Sequence, residues 1–249
     1  MKLNTNSNSY IIIYSAILVV IVAFLLAFVY QALKPMQDAN VALDVKKQIL
    51  YSLNIRNLDG AEAEAKYNEV VKSEPGGSGE FTRECYDCEV DGKKLHVCPL
   101  KGMGLWGGIS GYIAINGDNT VYGAYFNHES ETAGLGAEIK DSQAWQEKFI
   151  SKQIIAEGAD GKDKVVLSVV KKVEDPETQV DCVTGATLTS NGVDEMIKRT
   201  FGILTGEYDL AMDEKELEKL MMKACMSDKD SISDAELDKM IKVKKAEEE

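Results

Sequence analysis

From Tyr10 to Leu33 the chain carries no charged residue; Ile, Leu, Val, Ala and Phe fill the stretch, with Tyr10, Tyr14 and Tyr30 near its edges. Coiled as a helix it would run roughly 36 Å, enough to cross a hydrocarbon core with some tilt. Its aromatic edges suit the headgroup region. A cleaved signal peptide has a shorter apolar core and a small-x-small cleavage site, so the expectation is a retained anchor in a lipid bilayer. Lys2 lies before the span while Lys34, Lys46 and Lys47 follow it, so the positive charges leave its orientation undecided.

Beyond the anchor, Val41, Val45, Ile49 and Leu53 fall at steps of four and predict a helix rising from the membrane. A second helix is predicted over Ala61 to Lys72, and Ser73-Glu74-Pro75-Gly76-Gly77-Ser78-Gly79 then breaks both patterns as a loop, with the folded domain beginning beyond it. Gly111 to Ile115 and Thr120 to Phe126, rich in β-branched and aromatic residues, flank Asn116-Gly117-Asp118-Asn119 and predict a hairpin. A helix is predicted from Asp141 to Ile150, with Trp145 and Phe149 on one face, and a strand from Val165 to Val170. Val193, Met196, Ile197 and Phe201 make the apolar stripe of a last helix whose first turn begins near Leu188. The order strand, strand, helix, strand, helix reads as an α+β domain on an antiparallel sheet with flanking helices. After it, Asp213-x-x-Glu216 and Ser233-x-x-Glu236 are capping-box patterns that open two short amphipathic helices. The expected organisation is a short segment 1–9, an anchor 10–33, membrane-proximal helices and linker 34–80, a folded domain 81–206 and a helical tail 207–249.

A formal net charge of -13 gives no electrostatic reason to approach a phosphate backbone, so nucleic acid is not an expected partner. Cys85, Cys88 and Cys98 form a CxxC with a third member, while Cys182 and Cys225 stand apart. A metal site normally wants four ligands at paired spacing, and His96 is the only nearby fourth candidate, so no metal is expected. A disulfide between Cys85 or Cys88 and Cys98 is the preferred reading in an oxidising compartment. Asp228-Lys229-Asp230 resembles a calcium loop only in part, because Ile232, Ser233 and Lys239 stand where a ligand, the turn glycine and the closing Glu belong. The two histidines, His96 and His128, support no catalytic triad, and no catalytic residue is assigned.

Candidate chemistry concentrates in Asp181-Cys182-Val183-Thr184-Gly185-Ala186-Thr187-Leu188-Thr189-Ser190. Thr187 falls at or just before a helix N-terminus, where free backbone N–H groups and the positive end of the helix dipole favour an anion such as phosphate. The plain alternative is that Thr187, Thr189 or Ser190 caps the helix, the usual task of such residues.

Three separated segments carry a family resemblance: Lys101-Gly102-Met103-Gly104-Leu105-Trp106, His128-Glu129-Ser130-Glu131-Thr132-Ala133-Gly134-Leu135-Gly136, and Thr184 through Val193. Together they resemble the NqrC family, a subunit of the sodium-translocating NADH:quinone oxidoreductase. In that family a single anchor precedes an FMN-binding domain, and the last threonine of (Ser/Thr)-Gly-Ala-Thr holds FMN through a phosphoester. The resemblance therefore implies covalent FMN on Thr187. It places Thr184, Gly185, Ala186, Leu188, Thr189, Glu131, Thr132, Gly134, Leu135, Gly136, Lys101, Leu105 and Trp106 in the cofactor site. Ala133 stands where the family usually has proline, which restores backbone freedom to that loop.

The implied activity is electron relay from an iron centre to another flavin during quinone reduction, inside a membrane complex that moves sodium ions. Implied partners are the other subunits and a flavin transferase that installs FMN from FAD, since no neighbouring residue offers a base to activate the threonine. The implied location is a bacterial inner membrane with the flavin domain on the periplasmic side. The homologous subunit of the ferredoxin:NAD oxidoreductase shares the anchor and the threonine motif and is the nearest alternative. A non-redox anchored binding module is the alternative from another class.

Overall fold

A computed structural model describes residues 8–75, 85–158 and 161–206; the helices expected in 207–249 and Cys225 lie outside the described residues. Helix α1 (Asn8–Ser52) takes in the apolar stretch and runs on through Pro35, Val41 and Val45. It is long and apolar enough to cross a membrane, with a mean hydropathy of 3.1 in its most apolar window. Among the described residues, those up to Lys46 form one unit and those from Lys47 onward a second.

In the second unit, helix α2 (Gly60–Val70) leads into strands β1 (Val71–Ser73), β2 (Tyr86–Val90), β3 (Lys93–Met103), β4 (Gly108–Ile115) and β5 (Val121–His128). These pair antiparallel in the order β1-β2-β3-β4-β5. The predicted hairpin is β4–β5, turned at Asn116–Asn119, where Asn119 takes a positive φ of 61° and the Asp118 carboxylate accepts from the Thr120 hydroxyl at 2.6 Å. The strand β3 was not expected. Asp91 (φ 50°) and Gly92 (φ 77°) make the two-residue turn into it, their left-handed backbone suiting Gly and Asp. Pro99 lies beyond Val97, the last β3 residue paired with β2, so its missing N–H falls where β3 is paired on one side only. The sheet takes β1 from before the glycine-rich loop, so the folded unit begins earlier than expected.

After the sheet the chain makes α3 (Glu138–Asp141), α4 (Gln143–Glu147), β6 (Ile155–Glu157), β7 (Asp163–Val165), β8 (Ser168–Val170), β9 (Gln179–Asp181) and α5 (Thr187–Leu204). The helix expected over Asp141 to Ile150 is two short helices. Ser142 ends α3 in extended backbone, and its hydroxyl caps α4 by accepting from Trp145 N at 3.3 Å. The strand expected over Val165 to Val170 is likewise two: β7 pairs antiparallel with β6, and β8 pairs parallel with β9. Between them Val166 N turns to Ile154 O at 3.0 Å, which redirects the chain.

Side-chain alternation in β3 divides the two faces of the sheet. Cys98 and Leu100 join the large core with Phe126, Phe149, Val193, Met196, Ile197 and Phe201, where Phe126, Trp145 and Phe149 meet at centroid distances of 5.1 to 5.5 Å. Leu95 and Val97, buried but outside that core, belong to the other face. The end of α1 packs there: the Tyr51 ring meets the Tyr125 ring at a tilt of 58° with centroids 5.2 Å apart, and Asn54 Nδ2 donates to Tyr122 O at 2.8 Å.

Candidate functional site

The backbone from Val183 to Ser190 is held by one hydroxyl. Ser190 Oγ accepts from Val183 N at 3.0 Å and donates to Ala186 O at 2.9 Å, closing the loop that leads into α5. Gly185 sits in that loop with φ +80°, a conformation open to glycine at no steric cost. Ala186 occupies the cap position of α5 and provides no side-chain cap, so Thr187 is the first helical residue of an uncapped end. The four hydroxyls of the motif then sort themselves. Ser190 is consumed by the loop. Thr189, 1% exposed, donates to Glu131 Oε2 at 2.6 Å. Those of Thr184, exposed, and Thr187, half-buried, make no hydrogen bond among the described residues.

Glu131 ties the other two motifs to this one. Its Oε1 accepts from Trp106 N at 2.8 Å while its Oε2 takes the Thr189 hydroxyl, and the residue is 7% exposed. Trp106 and Leu105 stand at the tip of a tight turn closed by Gly104 N donating to Gly107 O at 2.8 Å. Ser130 Oγ donates to Trp106 O at 2.9 Å and holds the same turn from the Glu131 side. His128 ends β5, and its Nδ1 accepts from Glu131 N at 3.2 Å. Downstream, Leu135 N and Ala137 N both donate to Thr132 O at 3.1 Å; a Cβ placed on Gly185 would lie 2.9 Å from Leu135 Cδ2. The three segments thus converge on the start of α5. Met103, Leu105, Trp106, Leu135 and Leu188 leave large apolar surface in water there, between 43% and 66% exposed. Lys101, Thr132 and Gly134 are also exposed, whereas Gly136 is buried against Glu131 and Thr189.

An open cleft of about 320 Å³ adjoins Thr184, lined among others by Gly134, Glu138, Trp145, Lys148 and Cys182. Lys148 Nζ pairs with Asp181 at 2.8 Å on its wall, and Trp145 Nε1 donates to Asp181 O at 2.8 Å. Burial raises the Cys182 thiol above its ordinary range, a shift larger than the lowering by its hydrogen bond with Ser190, so it stays a neutral thiol.

Cys85 and Cys98 form a disulfide, while Cys88 is a free buried thiol. Cys88 pairs across β2–β3 with Leu95, one face away from Cys98, which is why the bridge uses Cys85. Among the described residues no group of His, Cys, Asp and Glu could hold a metal ion, and His96 Nδ1 pairs with Asp87 at 2.8 Å.

Nothing in the sequence signalled the Glu131 contacts with Trp106 and Thr189, which span 25 and 58 residues, or the loop closure by Ser190. The glycines at 104 and 136 were the only trace, since a Cβ on either would meet a Glu131 oxygen.

A family model described as an FMN-binding domain matches residues 104–201, a range that opens at the Gly104 turn and closes in α5. The NqrC-type subunit of the Na(+)-translocating NADH-quinone reductase of Neisseria meningitidis serogroup A is 37% identical over 150 residues, 59% of this chain and 50% of that protein. Its Haemophilus ducreyi counterpart is 41% identical over 108 residues, 43% of this chain and 40% of that protein. The matches therefore span about half or less of the length of these curated relatives. The crystal structure of the same subunit from Parabacteroides distasonis is similar with a TM-score of 0.59 at 34% identity, covering 71% of this chain and 98% of that one. Shewanella oneidensis NqrC, at 22% identity and a TM-score of 0.53 over 66% of this chain and 93% of that one, shares the fold.

Proposed function

This chain belongs to the NqrC family of the Na(+)-translocating NADH-quinone reductases, and on that premise we propose that it is an electron-transfer subunit of such a complex with FMN esterified to Thr187. The observation that carries this reading is the hydroxyl inventory. Of four candidates, Thr184 and Thr187 keep a hydroxyl without a partner among the described residues, and of these two it is Thr187 that opens α5, at an end whose first-turn N–H groups have no side-chain cap. The residues present fit the group. The bare N–H groups and helix dipole suit a phosphodiester, and the exposed rim of Leu105, Trp106, Leu135 and Leu188 suits a flat apolar ring.

In this reading Thr187 Oγ would hold FMN through its phosphorus, with FAD as the donor and AMP as the leaving group. The hydroxyl proton passes to a base on a flavin transferase, since this chain offers none. FMN supplies one- and two-electron chemistry, and the protein sets its position and surroundings. Leu135 Cδ2 lies where a Cβ on Gly185 would come within 2.9 Å of it, so the glycine lets this side chain sit close to the loop before Thr187. The further parts of the proposal are relay from an iron centre to another flavin during quinone reduction, and association with the other subunits of the complex. So are anchoring of α1 in a bacterial inner membrane and a periplasmic flavin domain. The apolar span of α1 and the Cys85–Cys98 disulfide support the last two. The relatives above carry the sodium-translocating name, which favours that complex over the ferredoxin-linked one.

The test is the full-length chain expressed with a flavin transferase. Intact-mass analysis should show one FMN adduct on the peptide containing Thr187, and Thr187→Ala should lose both the adduct and in-gel flavin fluorescence. An adduct that persists in Thr187→Ala moves the attachment elsewhere; a colourless wild-type protein favours the binding module.

A further inference from the structure

Beneath the exposed rim lies a carboxylate that touches both walls of the site. Glu131 accepts from Trp106 N at 2.8 Å through one oxygen and from the Thr189 hydroxyl at 2.6 Å through the other. Trp106 belongs to the turn that carries the rim, and Thr189 belongs to the first turn of α5, two residues beyond Thr187. Both partners are donors, which is the arrangement an acceptor-only carboxylate satisfies. Space for it is reserved from two sides: a Cβ on Gly104 would lie 2.5 Å from Oε1, and one on Gly136 would strike Oε2. Burying a carboxyl so fully costs free energy that two hydrogen bonds only partly offset, and an apolar residue would hold a plain core at less cost.

We propose that Glu131 is a positioning residue of the flavin site, a clasp that fixes the Trp106 turn relative to the Thr187 end of α5 and places a negative charge under the ring-binding rim. This rests on the reading of Thr187 given above and adds to it a residue that touches neither the attachment hydroxyl nor bulk solvent. The clasp has two separable consequences. As geometry, it sets how far the rim stands from Thr187. As charge, it disfavours added electron density nearby, which lowers the midpoint potential of a flavin held there.

Two substitutions divide these consequences. In Glu131→Gln the amide oxygen still accepts from Trp106 N, and the amide NH2 donates to Thr189 Oγ1, so the clasp survives without its charge. In Thr189→Val the charge stays and one arm of the clasp is lost. The experiment uses the full-length chain co-expressed with the transferase, reading adduct mass, the visible flavin spectrum, Trp fluorescence and the midpoint potential. Glu131→Gln is expected to raise the midpoint potential of the flavin it carries, and to lose less adduct than Thr189→Val. Thr189→Val is expected to carry less adduct in a fixed expression time, severalfold less, and to show a shifted flavin spectrum. Glu131→Ala should combine both effects. If it fails to fold, judged by its melting curve, the other two variants decide the matter. Wild-type spectrum, loading and potential in both Glu131→Gln and Thr189→Val would overturn the proposal. A wild-type chain lacking any adduct on Thr187 would instead overturn the reading beneath it, and the two failures are told apart by the wild-type mass alone.

Discussion

Helices α2 and α5 begin in opposite ways. α2 opens under Asp59, whose Oδ1 accepts from Glu62 N at 2.9 Å, and α4 opens similarly under Ser142. α5 has more hydroxyls at its start than either, yet Ala186 fills the cap position and none of Thr187, Thr189 or Ser190 caps it. A side-chain cap contributes about 1 kcal/mol. α5 forgoes that contribution and is held instead by Val193, Met196, Ile197 and Phe201, all at most 1% exposed, each worth about 1.5–3 kcal/mol in burial. A helix so firmly packed does not need its first turn satisfied from within. The difference teaches where to look for a ligand: at the start whose donors the protein has left alone.

Substitutions that attack the two kinds of helix start differently test this contrast. The largest effect is expected from Thr187→Ala, with complete loss of covalent flavin by mass and a stability within about 0.5 kcal/mol of the unloaded wild type. Second is loss of the disulfide. Replacing Cys85 and Cys98 by Ser, which opens a loop of sequence separation 13, should cost about 3 kcal/mol in urea unfolding while leaving the flavin attached. Third, Asp59→Ala should cost about 1 kcal/mol with full flavin loading. If loading falls with it, the two helix starts are not independent and the contrast fails. Its mirror image, Ala186→Ser, offers α5 the missing cap and should slow flavin attachment without lowering the melting temperature.

The smallest effect concerns pH. Burial first, and the Asp87 carboxylate second, push the Cys88 thiol up to about 12 from its ordinary 9.0, so the fold favours the neutral thiol. That contribution is complete below about pH 9, the unfolded value, and is lost as pH rises from there toward 12. Melting temperatures of the wild type and Cys88→Ala, followed from pH 8 to 11, should therefore converge as pH rises, with flavin loading unchanged.

Much of the fold is legible in the chain itself. The β4–β5 hairpin can be read because its turn residues and its apolar strands agree, and α5 because its stripe keeps helical spacing. The long apolar helix follows from length and composition. The pairing of Cys98 stays open between two partners because sequence spacing does not say which face of a strand a residue occupies; the register of β2 on β3 decides it. The strand β3 is hidden by Lys93, Lys94 and Pro99, residues that suit a strand end or an edge: the two lysines pair with β2 before β4 begins to pair, and Pro99 pairs with β4 after β2 has stopped. The break at Ser142 is hidden because one residue closes a helix and caps the next. Glu131 can be placed in the site by resemblance, but its work of joining two walls cannot, because its partners are far apart along the chain.

Gly102 and Gly192 lie where α5 crosses β3. A Cβ on Gly102 would come within 2.7 Å of Met196 Cβ, and one on Gly192 would collide with the Met103 carbonyl oxygen. Helix and strand therefore approach closely in the second turn of α5, backbone against backbone at Gly192 and backbone against the Met196 Cβ at Gly102. A centre that repeatedly gains and loses charge exchanges it fastest when its surroundings need not rearrange. For the flavin proposed on Thr187, the close seating that two absent methyl groups allow would keep reorganisation small as charge arrives and departs.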